Sequence, residues 1–189
     1  MLSICIILAL STACTEETAP VETYSLDIPE TFPEPTIPEG NTPNEAKVEL
    51  GRYLFYDTLL SGNQTQSCGS CHQQALAFTD GRAVAMGATG QQHSLGSMSL
   101  ANVGYAATMG WGNPTLTSLE TQALVPMFGE EPVELGLTEI GEDGLIERLR
   151  AEPRYQERFP AAFPNETDPF TVPNVVKAIA SFQRTMISA

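Results

Sequence analysis

The chain has 189 residues, the size of one ordinary domain, and its 42% hydrophobic content is enough to build a core. Twenty-three acidic side chains against nine basic ones leave a formal net charge of −14. That imbalance excludes a sequence-independent nucleic-acid binder, which needs Lys and Arg to displace phosphate counterions, and it disfavours docking on an anionic lipid surface.

Residues 1–13, MLSICIILALSTA, are apolar and carry no charged side chain. The run is too short to span a bilayer and has the length of a signal peptide's hydrophobic region. Ser11, Thr12 and Ala13 ahead of Cys14 resemble a bacterial lipoprotein signal, in which Cys14 becomes the lipidated N-terminus. Ordinary cleavage after Ala13 would instead leave Cys14 as a spare thiol. Either route places the protein in the periplasm, with a lipid anchor as its membrane contact. Residues 14–42 are rich in proline and acids and lack apolar periodicity, which predicts an extended tether.

The folded domain is expected over residues 43–189. Thr42-Pro43-Asn44-Glu45 reads as a capping box with proline at the first helical position. Ala46, Leu50, Tyr53 and Leu54 then recur at helical spacing, predicting a helix to about Tyr56. Residues 57–66 read as a polar loop, and a short helix is predicted around Cys68 to Gln74. From there to about Gly112 glycine and small residues dominate, a stretch too long for an idle loop, so it is expected to wrap something. Thr117-Ser118-Leu119-Glu120 is a second capping box, opening a helix that Pro126 should end. Gly144 to Arg150 and Arg154 to Phe159 predict short helices. After Thr171, Val175, Ile179, Phe182 and Met186 form an apolar helical stripe with little chain left to cover it. No alternating strand pattern is present. With fourteen prolines and fifteen glycines, the fold expected is mainly α with long irregular connections.

Cys68-Gly69-Ser70-Cys71-His72 is the C-x-x-C-H pattern of c-type haem attachment. Positions three apart share a helix face, so both sulfurs reach the vinyl groups of one porphyrin, and the adjacent histidine becomes the axial iron ligand. A zinc knuckle needs two further Cys or His ligands where only His93 remains, and a thioredoxin-like dithiol needs a βαβ setting. A disulfide between Cys68 and Cys71 is geometrically poor. The sixth iron position stays open at this level: Met86, Met98, Met109 and Met127 are candidate ligands for an electron-carrier cytochrome, and equally good core filler.

The surrounding residues carry more. Leu50 to Asp57, Leu60-Ser61, Ser67 to His72 and Phe78 to Gly81 resemble the N-terminal haem domain of bacterial di-haem cytochrome c peroxidases and MauG. Gly96 to Val103, Leu119 to Phe128 and Pro132 to Gly136 are similar to the methanobactin-associated, MbnH-like subfamily. The resemblance implies a class I cytochrome c-like helical domain and a periplasmic oxidoreductase that activates hydrogen peroxide at an open haem iron. It implies Cys68 and Cys71 as the attachment sites, His72 as the proximal ligand, Gln122 as the distal-pocket amide, Glu134 as the catalytic carboxylate and Trp111 as the indole between two haems. From the residues alone, Glu134 could equally be a solvated acid and Trp111 core.

The resemblance also implies a second haem, in a C-terminal domain whose C-x-x-C-H this chain does not contain, and a protein partner. That partner would be a copper-binding protein oxidised on a tryptophan, or cytochrome c as reductant. Near Gly87-Ala88, where peroxidases needing reductive activation hold a distal histidine, none stands, so the iron is expected to be open. His93, five residues on, reads as a pocket-edge or surface residue. Gly96 replaces a side chain of the family's calcium site, so calcium is left unassigned.

Overall fold

The computed structural model describes residues 23–189. Residues 1–13, expected to be a signal peptide, and Cys14 lie outside the described residues. Seven α-helices follow in order: α1 Glu45–Tyr56, α2 Cys68–Cys71, α3 Leu119–Phe128, α4 Gly141–Ala151, α5 Pro153–Gln156, α6 Arg158–Ala162 and α7 Val172–Gln183. Short 3-10 turns at Thr58–Leu60, Gln74–Leu76, Val103–Tyr105 and Leu137–Glu139 punctuate the connections. Among the described residues extended backbone pairs only as isolated bridges. The fold is mainly α.

Helix α1 begins two residues later than the capping pattern predicts. Asn44 is the N-cap, its Oδ1 accepting from the Lys47 N–H at 2.7 Å, and the Pro43 carbonyl accepts instead from the Tyr24 N–H. Leu50, Leu54 and Phe55 are buried on the face that meets α7. The crossing is close because residue 51 is glycine: a Cβ there would lie well under 3.0 Å from the Ala178 carbonyl oxygen. Phe55 meets Phe182 edge-on at 5.4 Å.

The apolar stripe of α7 is covered, contrary to the sequence-based expectation. Val175 and Ile179 are buried on α7, which packs against α1 and α3, while Met186, expected on the same stripe, is buried beyond the helix end at Gln183. After the helix the chain turns back onto the glycine-rich segment, where the Asn102 N–H donates to the Met186 carbonyl and the Asn102 Oδ1 accepts from the Ser188 N–H. Its surface is supplied by segments remote in sequence, which periodicity cannot see.

Helix α3 is capped by Ser118 rather than Thr117 and continues through Pro126 to Phe128. So near the helix end the missing N–H costs one backbone bond, and the Pro126 carbonyl accepts from Leu135. Residues 23–42 are irregular, as read, but they lie along the domain instead of standing free. Pro35 and Asn41 are buried, and Phe32 meets Tyr105 edge-on at 5.7 Å.

The second half is fastened by polar contacts. The Arg148 guanidinium donates to the carbonyls of Leu59, Ser61 and Gly62, turning the region predicted as a loop into a fixed corner. The Tyr155 hydroxyl donates to the Asp57 carboxylate at 2.6 Å, joining α5 to the end of α1. The helix predicted over 154–159 is broken into α5 and α6. No helix among the described residues is long and apolar enough to cross a membrane.

Asn41, Glu120 and Arg184 tie the N-terminal segment, α3 and the end of α7 together. Arg184, 3% exposed, donates to both Glu120 oxygens at 2.7 and 3.1 Å, and the Asn41 amide adds a third bond at 2.6 Å. Burial works to raise the Glu120 carboxyl, but these hydrogen bonds outweigh it and hold it below the usual range. A depressed native value means stability present above the unfolded value and lost as pH falls. Glu120→Gln is therefore expected to cost about 3 kcal/mol at pH 7 by leaving Arg184 buried and unpaired. The deficit should narrow below about pH 4.3, where the carboxylate of the unfolded wild-type chain takes up a proton that the folded one still resists. Denaturant unfolding at neutral and acid pH measures both.

Candidate functional site

The C-x-x-C-H segment forms a single helical turn, shorter than predicted. Ser67 precedes it, with its N–H donating to the Ser70 hydroxyl at 3.0 Å, and His72 closes it by donating its N–H to the Cys68 carbonyl. The chain then makes a tight turn from Gln73 to Thr79 in which Ala77 and Phe78 both have positive φ, 53° and 58°. Two consecutive non-glycine residues in the left-handed region are strained, and strain of this kind persists where the surroundings demand it. Here it brings the Phe78 carbonyl 2.9 Å from His72 Nδ1. A hydrogen bond from Nδ1–H to that oxygen leaves the Nε2 lone pair free for a metal, the arrangement expected of a ligating histidine.

Cys68, Cys71 and His72 share the wall of a cavity of about 630 Å³. The glycine-rich stretch supplies most of the remaining wall, from Ala85 to Asn113, so the segment expected to wrap something does enclose this space. Helix α3 contributes Gln122 and Met127, and α7 contributes Ile179 and Gln183. Both cysteines are unpaired thiols. Burial pushes Cys68 up to about 12 and also raises Cys71, so the sulfurs stay uncharged, as the thioethers of a c-type haem are. Burial likewise pushes His72 down, favouring the neutral imidazole that binds a metal. The volume, the two thiols and the free imidazole nitrogen fit a covalently attached haem.

The other residues singled out from sequence converge on the same cavity. Glu134 follows α3 on a loop containing the cis Glu131–Pro132 bond. Its carbonyl accepts from the Ala88 N–H at 2.7 Å, while the Leu135 N–H donates to Pro126. Its carboxyl is half-buried; burial pushes it above the usual range and the charge of His93 offsets part of that rise. It is not a freely solvated acid. Gln122 is half-buried on α3 and lines the cavity. Trp111 stands at the rim, 61% exposed, its indole N–H donating to the Gly96 carbonyl at 3.0 Å. It is not core. Met86, Met98, Met109 and Met127 all line the cavity as well, and Met127 is also fully buried in the core of α3.

Two glycines explain what is missing. A Cβ at Gly87 would lie well under 3.0 Å from the Val133 carbonyl, so this backbone has no room for a side chain there. A Cβ at Gly96 would collide in the same way with the Arg82 carbonyl. Among the described residues no group of three or more His, Cys, Asp or Glu could hold a metal ion. His93, read as a pocket-edge or surface residue, lines the cavity, and its Nε2 is buried without a partner. Sequence spacing carried no signal for this, because the irregular turn from 85 to 95 has no period from which a side chain's direction follows.

Comparison with known proteins agrees with this geometry. The family model described as di-haem cytochrome c peroxidase matches residues 45–189. The chain is 33% identical over 187 residues to a cytochrome-c peroxidase of Denitromonas iodatirespirans, an alignment covering 98% of this chain and 47% of that protein. It is 32% identical over 160 residues to the methylamine utilization protein MauG of Methylorubrum extorquens, covering 85% of this chain and 42% of that one. The crystal structure of a MauG-like protein associated with microbial copper homeostasis matches with a TM-score of 0.84 at 42% identity, over 87% of this chain and 47% of the other. A di-haem peroxidase from Burkholderia thailandensis shares the fold, with a TM-score of 0.61 at 21% identity, over 75% of this chain and 39% of the other. The chain spans about half the length of these relatives, 47% and 42% of the first two. It belongs to the di-haem cytochrome c peroxidase family.

Proposed function

We propose that this chain carries one covalent c-type haem on Cys68, Cys71 and His72 and activates hydrogen peroxide at its open iron face, in the periplasm, as the N-terminal half of a two-haem oxidoreductase. The observation that carries the reading is the convergence of the attachment turn, Gln122 and Glu134 on one cavity. When bound, the haem supplies the iron that takes up peroxide and the electrons that cleave its O–O bond.

The chain's own residues handle protons and orientation. The Glu134 carboxylate takes the proton from the peroxide oxygen nearer the iron and returns it to the outer oxygen, which leaves as water. The Gln122 amide orients the peroxide without adding charge. His72 keeps its Nδ1 proton on the Phe78 carbonyl, which fixes the ring and leaves Nε2 for the iron. Trp111, exposed at the rim, is placed to pass oxidising equivalents outward, towards a second haem or a partner. Likeness to the MauG-like protein associated with copper homeostasis supports a tryptophan of a copper-binding protein as the substrate. Likeness to the cytochrome-c peroxidase supports cytochrome c as a reductant. Export through residues 1–13 supports the periplasmic location, since the haem is attached outside the cytoplasm.

An optical spectrum with cyanide tests the open face. The ferric, haem-loaded chain is expected to be high-spin and to shift on cyanide addition. A low-spin spectrum that resists cyanide would show a methionine as sixth ligand and an electron carrier instead.

Glu134→Gln is expected to retain covalent haem and to slow the reaction with peroxide about 100-fold or more, measured by stopped flow. Because the native Glu134 carboxyl lies above the ordinary range, the peroxide rate should fall off on acidification at a higher pH than an ordinary glutamate would give. Cys68→Ala with Cys71→Ala is expected to abolish covalent haem and lower the thermal midpoint, since bound haem fills the cavity and stabilises by linkage. Haem staining and thermal unfolding report the two effects.

A further inference from the structure

Six buried side-chain polar atoms among the described residues lack a hydrogen-bond partner, and three of them belong to one corner at the end of α7: Tyr105 Oη, Gln183 Oε1 and Arg184 Nε. Native proteins keep buried polar atoms unpaired mainly where a ligand or water completes them. Gln183 lies one helical turn beyond Ile179 on the same face of α7 and lines the haem cavity, 5% exposed. A glutamine breaks the apolar stripe at the point where the helix reaches the cavity. Arg184, 3% exposed, lines a neighbouring cavity of about 380 Å³, and Tyr105 belongs to both walls.

The corner is held by the chain's own backbone. The Tyr105 N–H donates to the Asn102 carbonyl at 3.0 Å, and the Asn102 N–H donates to the Met186 carbonyl at 2.7 Å. The Asn102 side chain bonds the backbone of Ser188 in both directions, each at 2.8 Å. Gly104 packs on Arg184, where an added Cβ would lie 3.7 Å from Cγ. Tyr105 and Gln183 are therefore the next residues along from two that touch, and the Tyr105 ring is braced edge-on by Phe32.

Among the described residues no Lys or Arg lines the haem cavity. A haem carries two propionate carboxylates, and a carboxylate enclosed by protein needs hydrogen-bond donors. Tyr105 offers its O–H. The Gln183 amide offers Nε2–H, because the two ends of an amide are alike in shape and either can be turned to a partner. Arg184 gives its terminal nitrogens to Glu120, which leaves Nε–H without a partner.

We propose that this corner is a carboxylate subsite of the haem cavity, in which Tyr105 and Gln183 donate to one haem propionate and Arg184 Nε–H completes the donor set. The inference rests on the reading that haem is attached at Cys68 and Cys71. Two thioethers and the His72 ligand fix the macrocycle at the attachment turn; a held propionate fixes it at a second point, so Tyr105 and Gln183 are positioning residues. A free carboxylate reaching the corner through the neighbouring cavity would use the same donors.

Resonance Raman spectroscopy of the ferric, haem-loaded full chain tests this, because the propionate bending band moves with hydrogen bonding to the carboxylate. Wild type is compared with Tyr105→Phe, which keeps the ring on Phe32, and Gln183→Met, which keeps the length without the amide. Haem staining and helical circular dichroism control for attachment and folding. Both variants should retain covalent haem, since the cysteines are untouched, and both should shift the band. Thermal unfolding with and without sodium acetate separates the two sources of carboxylate: with a propionate in place, the wild-type midpoint should not respond to acetate. An unmoved band in either haem-loaded variant would overturn the subsite alone, and if one variant folds poorly the other decides, since they lie on different segments. A wild-type midpoint that rises with acetate, and no longer does so in Tyr105→Phe, would overturn the propionate as occupant in favour of a free carboxylate. A wild-type chain without covalent haem would remove the haem reading and this inference with it.

Discussion

The close crossing of α1 and α7 is the constraint from which the rest of the structure follows. With no side chain at Gly51, the two helices meet at backbone distance, and Leu50, Leu54 and Phe55 are buried along with Val175 and Ile179. Burial of that many aliphatic and aromatic side chains is the main favourable term available to a domain of this size. The crossing sets the exit direction of α1, which leads through the Arg148-pinned corner to the attachment turn. It also presents Ile179 and Gln183 of α7 to the cavity, alongside Gln122 of α3. The last helix is thus part of the site's foundation.

Above that foundation the site is held by backbone polar groups more than by packing. The glycine-rich stretch has few large side chains and no regular helix longer than a 3-10 turn, yet its N–H and carbonyl groups are bonded to fixed neighbours. Phe78 holds the His72 ring, Ala88 and Gln91 hold the Glu134 loop, and Asn102 holds the end of the chain. Glycine is required where two backbone segments press together, as at Gly87 and Gly96.

Electrostatically the cavity sets two burial effects against each other. Desolvation keeps the cysteine thiols neutral and His72 uncharged, both suited to holding a haem. The same desolvation raises the half-buried Glu134 carboxyl above the usual carboxylate range.

The sequence by itself determined the helical class, the position of the haem-attachment turn and the helices with caps and clear periodicity. Asn44, Ser118 and Thr171 are short polar residues ahead of apolar repeats, and their effect is local. The family resemblance pointed further to Gln122, Glu134 and Trp111, which lie on the wall and rim of one cavity. Cap positions were displaced by one or two residues because Asn44 and Ser118 compete with Thr42 and Thr117 for the same backbone donors, a choice settled by neighbouring contacts such as Tyr24 on Pro43. Only the tertiary structure decided that the α7 stripe is covered, that residues 23–42 lie on the domain and that His93 belongs to the pocket. Each of these depends on segments far apart in the chain or on irregular turns, where side-chain direction comes from long-range hydrogen bonds and steric fit rather than from any repeat in the sequence.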